Sequence, residues 1–162
     1  GDTLILYFAG HGSRDKQGKA FFVSYDAKGG ALPQTAWAVA SIFETLEQEF
    51  RGRRALLTAD CCYSGSLALE AKRRDSRIAY ACLTSSLSNV TSTGKWTFTE
   101  CLLEGFQGQP WVDLNRDGRV ELAELAETLE HPELRKVLMN PRFSRPARSG
   151  MSASICASGK GR

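Results

Sequence analysis

Apolar and polar positions along this chain alternate between short continuous apolar runs and longer stretches with helical spacing. Leu4 to Ala9 is unbroken, apolar and aromatic, the signature of a buried strand. It stops at Gly10-His11-Gly12, where the glycines permit a tight turn and close approach. Ser13 to Lys19 reads as a polar loop, Ala20 to Tyr25 as a short strand or hairpin arm, and Asp26 to Pro33 as a Gly-rich loop. From Gln34 to Phe50, Trp37, Ala40, Ser41, Phe43, Leu46 and Phe50 recur at helical steps and predict an amphipathic helix. A second apolar run, Ala55 to Ala59, predicts another buried strand; it ends in the turn Asp60 to Gly65, and Ser66 to Arg74 reads as a helix. Arg77 to Leu83 repeats the strand pattern and runs into the polar segment Thr84 to Asn89. Helices between apolar strands are the βαβ pattern of a parallel sheet.

Further on, Trp96 to Phe106 predicts a helix starting near Thr97 or Thr99, broken by Gly105, Gly108 and Pro110. Leu122 to Glu130 is helical, Pro132 to Met139 another turn or two, and Met151 to Ala157 a closing strand. The expected fold is α/β, a mostly parallel sheet with helices on both faces. Residues 1–157 form one domain with an insert at 113–124, and 158–162 a disordered tail. Phe21, Phe22, Trp37, Phe43 and Phe106 are expected in the core, with Cys82, Cys101 and Cys156 as buried, inert thiols. Trp96 and Trp111 read as packing residues and His131 as a helix-end residue. An apolar strand at the very start implies N-terminal strands missing from this chain. A second chain or segment is expected to supply them, because a bare sheet edge invites pairing.

Composition narrows the class. With 162 residues, 42% hydrophobic and 24% charged, the chain can bury a globular core. A net charge of +3, scattered along the sequence, gives no case for nucleic acid, and Arg51, Arg53 and Arg54 read as a solvated loop. No apolar run reaches bilayer-spanning length and no signal peptide is seen, so no membrane role is expected. Five cysteines, two of them adjacent and none at zinc-ligand spacing, suit a reducing compartment; a cytoplasmic protein is the default.

The candidate chemistry sits where two strands end. Cys62 precedes a helix start, where backbone amides and the helix dipole favour a thiolate. His11, at the end of the preceding apolar strand, is placed to exchange a proton with it. The N–H groups of Gly12 and Cys62 are placed to hold an oxyanion. Taken singly, each residue reads more simply as a packed thiol and a loop histidine; taken together they read as nucleophile and base.

The segment YFAGHGS, followed about fifty positions later by TADCCYSG, resembles the caspase-like cysteine peptidases, closest to their metacaspase and bacterial branch. The family's Asp-x-Cys-x-Ser-Gly motif maps onto Asp60, Cys62, Ser64 and Gly65, which makes Cys62 and not Cys61 the nucleophile. GKWTFTECLLEG, from Gly94 to Gly105, and NPRFSR, from Asn140 to Arg145, resemble later family segments more loosely. The resemblance implies a three-layer caspase-like sandwich and a Cys62–His11 dyad acting on peptide substrates. It also implies an acidic pocket at Asp60 that takes Arg or Lys before the scissile bond. Ala9 stands where metacaspases often carry a second polar pocket residue, and Ser85 falls in the strand end that forms another pocket wall. Activation by processing or by a partner is also implied.

Asp113, Asn115, Asp117, Gly118, Arg119, Glu121 and Glu124 fall at the positions of a twelve-residue calcium loop. Asp113, Asn115, Asp117 and Glu124 would give side-chain oxygens, Arg119 its carbonyl, and Glu121 a water-mediated contact. The same residues equally describe a metal-free turn whose side chains bond their own backbone. The expected activity needs no cofactor, with Ca²⁺ as an optional occupant of this loop. The rival readings are an inactive caspase-like scaffold, a calcium-dependent interaction module and a cysteine hydrolase of small amides.

Overall fold

The computed structural model describes residues 1–87 and 97–130, which fall into two compact units divided between those stretches. Lys95 and Trp96, His131, the Asn140–Arg145 segment, the strand expected at 151–157, Cys156 and the tail lie outside the described residues.

The first unit holds a three-stranded parallel sheet of β1 (Thr3–Ala9), β5 (Arg54–Asp60) and β6 (Ala79–Thr84), in the order β1-β5-β6. A second, antiparallel sheet of β2 (His11–Arg14), β3 (Ala20–Val23) and β4 (Trp37–Ala38) follows directly from β1. Between them run a short helix α1 (Leu32–Thr35), then α2 (Val39–Glu49), and after β5 the helix α3 (Ser66–Arg73). The chain is thus α/β, with a small antiparallel sheet beside the parallel one.

Alternation along the strands fixes which face is covered. Leu4, Leu6 and Phe8 of β1 pack against a cluster that includes Ala55, Leu57 and Ala59 of β5 and Tyr80 and Cys82 of β6. Ile42, Phe43 and Leu46 of α2 and Leu67, Ala68 and Ala71 of α3 complete it. Each strand places every second side chain on this face. The first strand departs from the expectation of burial on both faces: Ile5 is 62% exposed and Tyr7 46%. Its continuous apolar run hides an alternation that only packing reveals.

Two boundaries also shift. Residues 11–14, read as turn and loop, form a strand because His11 to Arg14 pair antiparallel with Val23 to Ala20. The helix expected from Gln34 starts at Val39, since Trp37 and Ala38 are drawn into β4 by pairing with Phe22 and Phe21. Trp37 is accordingly exposed at 42%, set edge-on against Phe22 rather than buried in a helix face. Phe21, Phe22 and Phe43 are core residues as expected, and Phe22 stacks on Phe8 at 4.3 Å.

The second unit contains α4 (Thr97–Phe106) and α5 (Leu122–Glu130), joined through the acidic loop. Gly105 lies under Leu125, where a methyl group would meet Leu125 Cδ1 at 2.4 Å, so a glycine lets the two helices close. Phe106, expected in the core, is exposed at 54%.

Candidate functional site

The parallel register sets the two motifs level. Ala9 pairs with Asp60, and the Gly10 N–H donates to the Asp60 carbonyl at 3.3 Å. His11 and Cys62 therefore stand the same number of residues beyond the last rung of the β1–β5 ladder. The two turns then touch. A Cβ at Gly12 would lie 1.7 Å from the Cys62 carbonyl oxygen and 3.3 Å from Cys61 Sγ. Only a residue without a side chain allows β2 to pass this close to the cysteine turn.

The two adjacent thiols differ in environment. Cys61 is buried and belongs to the core under α3, and burial pushes its thiol up to about 12, with Cys62 and then Asp60 adding in the same direction. A thiol held neutral across the physiological range is neither a nucleophile nor a ready partner for disulfide exchange. Cys62 is only partly buried and begins the turn into α3. His11 is exposed at the start of β2.

The cysteine turn is held by bonds the sequence did not advertise. Tyr63, next to Cys62, adopts a left-handed φ of 59°, a conformation uncommon for a bulky residue and frequent where a site is shaped. Its carbonyl accepts the Ser66 N–H at 3.0 Å, and the Ser64 carbonyl accepts Leu67 N–H at 2.9 Å, which launches α3. Beneath the turn, Ser86 Oγ donates to the Cys61 carbonyl at 2.9 Å and accepts the Ser64 N–H at 3.2 Å. In return the Ser86 N–H donates to Ser64 Oγ at 3.2 Å, and Ser64 and Ser86 are both buried. The end of β6 thus clamps the cysteine turn. The only sequence trace of Ser86 was its place in a polar run at a strand end. Arg14, at the far end of β2, lies over the Tyr63 ring at 5.3 Å, and nothing in the sequence singled out that pair.

The three residues expected to line a substrate pocket share one row. Ala9 and Asp60 are directly paired, and Ala59 pairs with Thr84, which sets Ser85 beside Asp60. The Ser85 N–H donates to the Ala59 carbonyl at 3.0 Å, so the pairing continues past the end of β6. Asp60 is 8% exposed, while Ala9 and Ser85 are half-buried. Asp60 sits on the face opposite Ala59, away from the core shared with α2 and α3.

The acidic loop belongs to the second unit. Asp113 accepts the N–H groups of Asp117 at 3.1 Å and Gly118 at 2.8 Å, and Asn115 Oδ1 accepts Asp117 N–H at 2.8 Å. Asp117 Oδ1 accepts Arg119 N–H at 2.9 Å. Glu124, 7% exposed, takes Asn115 N–H on one oxygen at 3.0 Å and Glu121 N–H on the other at 2.9 Å. Gly118 makes the reversal with a φ of 84°. The donor set is right for a hard cation, yet these oxygens point to backbone amides. Among the described residues, no three His, Cys, Asp or Glu side chains converge as a metal site.

No helix among the described residues is long and apolar enough to cross a membrane. No family model, curated protein or solved structure matches this chain.

Proposed function

We propose that this chain is a cysteine endopeptidase of the caspase-like kind, working in the cytoplasm on peptide substrates. Cys62 attacks the scissile carbonyl. His11 shuttles the proton to the leaving amine. The N–H groups of Gly12 and Cys62 receive the negative charge that develops on the carbonyl oxygen. The observation that carries this reading is the backbone contact between Gly12 and Cys62, which brings the His-bearing turn onto the Cys-bearing one. The neutral, buried Cys61 supports assigning the nucleophile to its neighbour.

Asp60 gives the proposal its specificity. A buried carboxylate in a row with small residues Ala9 and Ser85 favours a guanidinium or ammonium group, so cleavage follows Arg or Lys. In the full caspase-like sandwich helices cover both faces, and further strands join the sheet beyond β1. β1 lies at the edge of the described sheet, where a further strand would pair. Calcium enters only as an occupant of the acidic loop; the chemistry at Cys62 requires no metal.

A fluorogenic peptide panel with Arg, Lys or Asp before the scissile bond, run with and without calcium, tests the reading. Turnover of the Arg and Lys peptides that vanishes in Cys62→Ala is expected. Preference for Asp would remove the role given to Asp60, and unchanged turnover in Cys62→Ala would remove the mechanism.

A further inference from the structure

A cavity of about 550 Å³ opens in the first unit where the β2–β3 hairpin, the start of α2 and the start of α3 meet. That volume lies within the range of small-ligand pockets. Three features of its wall call for an acceptor.

The first is the start of α2. Val39, Ala40 and Ser41 line the cavity, and the preceding Ala38 offers no side chain to cap the helix. The first turn carries no acidic residue, and Ser41 Oγ is turned back to donate to the Ala38 carbonyl at 2.8 Å. The first-turn N–H groups of an uncapped helix carry a partial positive charge and need an acceptor.

The second is a pair of polar atoms without partners. Ser66, only 6% exposed, lines the cavity, and its Oγ makes no hydrogen bond. Arg14 lines it too, and its Nε is buried and unbonded. Enclosed donors left in this way are uncommon in folded proteins and point to an absent acceptor.

The third is charge. Arg14 and Lys19 reach the cavity and have no carboxylate partner among the described residues, whereas Arg73, also in the wall, is paired with Glu70 at 3.4 Å. The wall's two acids are Glu44 and Glu70. Glu70 is answered by Arg73 and by Arg74 at 3.8 Å, while Glu44 reaches Arg74 only at 4.0 Å and Arg74 is held more closely by Glu47 at 2.9 Å. Set against Glu44, Arg14 and Lys19 still leave an excess of positive charge beside the helix N-terminus.

We infer that this cavity binds a compact anion, a phosphate or carboxylate group, held by Arg14, Lys19, the Ser66 hydroxyl and the first-turn amides of α2. The bound anion would also steady the guanidinium that stacks on Tyr63, the residue after Cys62. The anion comes either as a free ion or as an acidic side chain of a bound peptide. The site itself does not depend on the peptidase reading; only the peptide source does.

The test is a titration of the whole chain with inorganic phosphate at constant ionic strength, with chloride as control, read by thermal unfolding. A saturable rise in melting temperature specific to phosphate is expected. Lys19→Gln and Arg14→Gln should each weaken it by roughly tenfold, as for loss of one charge-assisted bond. Lys19→Gln guards against Arg14→Gln acting through Tyr63. No phosphate-specific shift, or a shift unchanged in Lys19→Gln, overturns the site. In the second arm, peptide pairs carrying Glu or Gln after the scissile bond are compared. A Glu preference lost in Lys19→Gln assigns the anion to the peptide, and equal turnover with phosphate still binding assigns it to a free ion. If no peptide is cleaved, the peptidase reading falls while the phosphate titration still decides this one.

Discussion

Gly12 and Cys62 meet backbone to backbone: a methyl group added to Gly12 would lie 1.7 Å from the Cys62 carbonyl oxygen and 2.8 Å from its carbonyl carbon. Neither partner is the far end of a flexible side chain, so nothing can swing aside. Gly12→Ala must push β2 away from the cysteine turn, and His11 moves with it. Stability should fall by about 2–4 kcal/mol, in the range of overpacked backbone sites. Turnover of an Arg peptide should fall by at least about a hundredfold, since small displacements of a reacting pair are costly. Gly10→Ala is the matched control: its added methyl meets only the Phe8 ring, at 3.1 Å, and a ring edge can yield. Denaturant unfolding and initial rates on both variants decide it. A Gly12→Ala protein as stable and active as the parent would dissolve the proposed contact between the two turns.

Ser86 bears on the same turn from below. Its hydroxyl is the acceptor for Ser64 N–H and the donor to the Cys61 carbonyl, all in a buried setting. Ser86→Ala strands both backbone groups, a loss of about 1–3 kcal/mol. The turn should loosen as well, so kcat should drop more than KM rises. Equal unfolding midpoints for Ser86→Ala and the parent would show that the clamp carries no weight.

How far the sequence spoke follows from the range of each interaction. The strand runs before His11 and Cys62 were legible because local apolar runs declare themselves, and their common endpoint followed from the parallel pairing of β1 and β5. The row Ala9, Asp60 and Ser85 was legible as three strand ends. What escaped was tertiary. Trp37 has the spacing of a helix face, yet Phe22 pairs with it and makes it a strand. Ser86 is one serine among several in Thr84–Asn89, and only a contact 22 residues back to Ser64 distinguishes it. Tyr63 and Arg14 are far apart in sequence, so their stacking left no pattern to read.

Glu124 offers a test of the acidic loop. Its two carboxylate oxygens each receive a backbone N–H, from Asn115 and from Glu121. A glutamine keeps only one acceptor oxygen, so Glu124→Gln should loosen the loop by about 1–3 kcal/mol without any metal present. Calcium should raise the melting temperature of the parent chain, because a ligand that binds only the folded state stabilises it. The variant, lacking the bidentate carboxylate, should show no such rise. Identical calcium responses in parent and variant would place the cation elsewhere or nowhere, and the loop would then be a self-bonded turn.

Cys61 provides the last prediction, and its sign is fixed by burial. An unfolded chain releases this proton near the ordinary thiol value of 9.0, whereas burial makes the folded chain hold it to about 12. Between those values the unfolded state binds fewer protons, so stability falls with rising pH. The contribution is complete below pH 9 and is lost as pH climbs through the folded value. Cys61→Ala removes that titration. Its stability deficit against the parent should shrink by a few kcal/mol between pH 9 and pH 12, as chemical denaturation at stepped pH would register. Near neutral pH the same burial should leave Cys61 unmodified while iodoacetamide reacts at Cys62, which peptide mapping separates by residue. Alkylation of Cys61 at a rate comparable to Cys62 would mean that the thiol is not enclosed. The two adjacent cysteines would then have no physical distinction on which to assign a nucleophile.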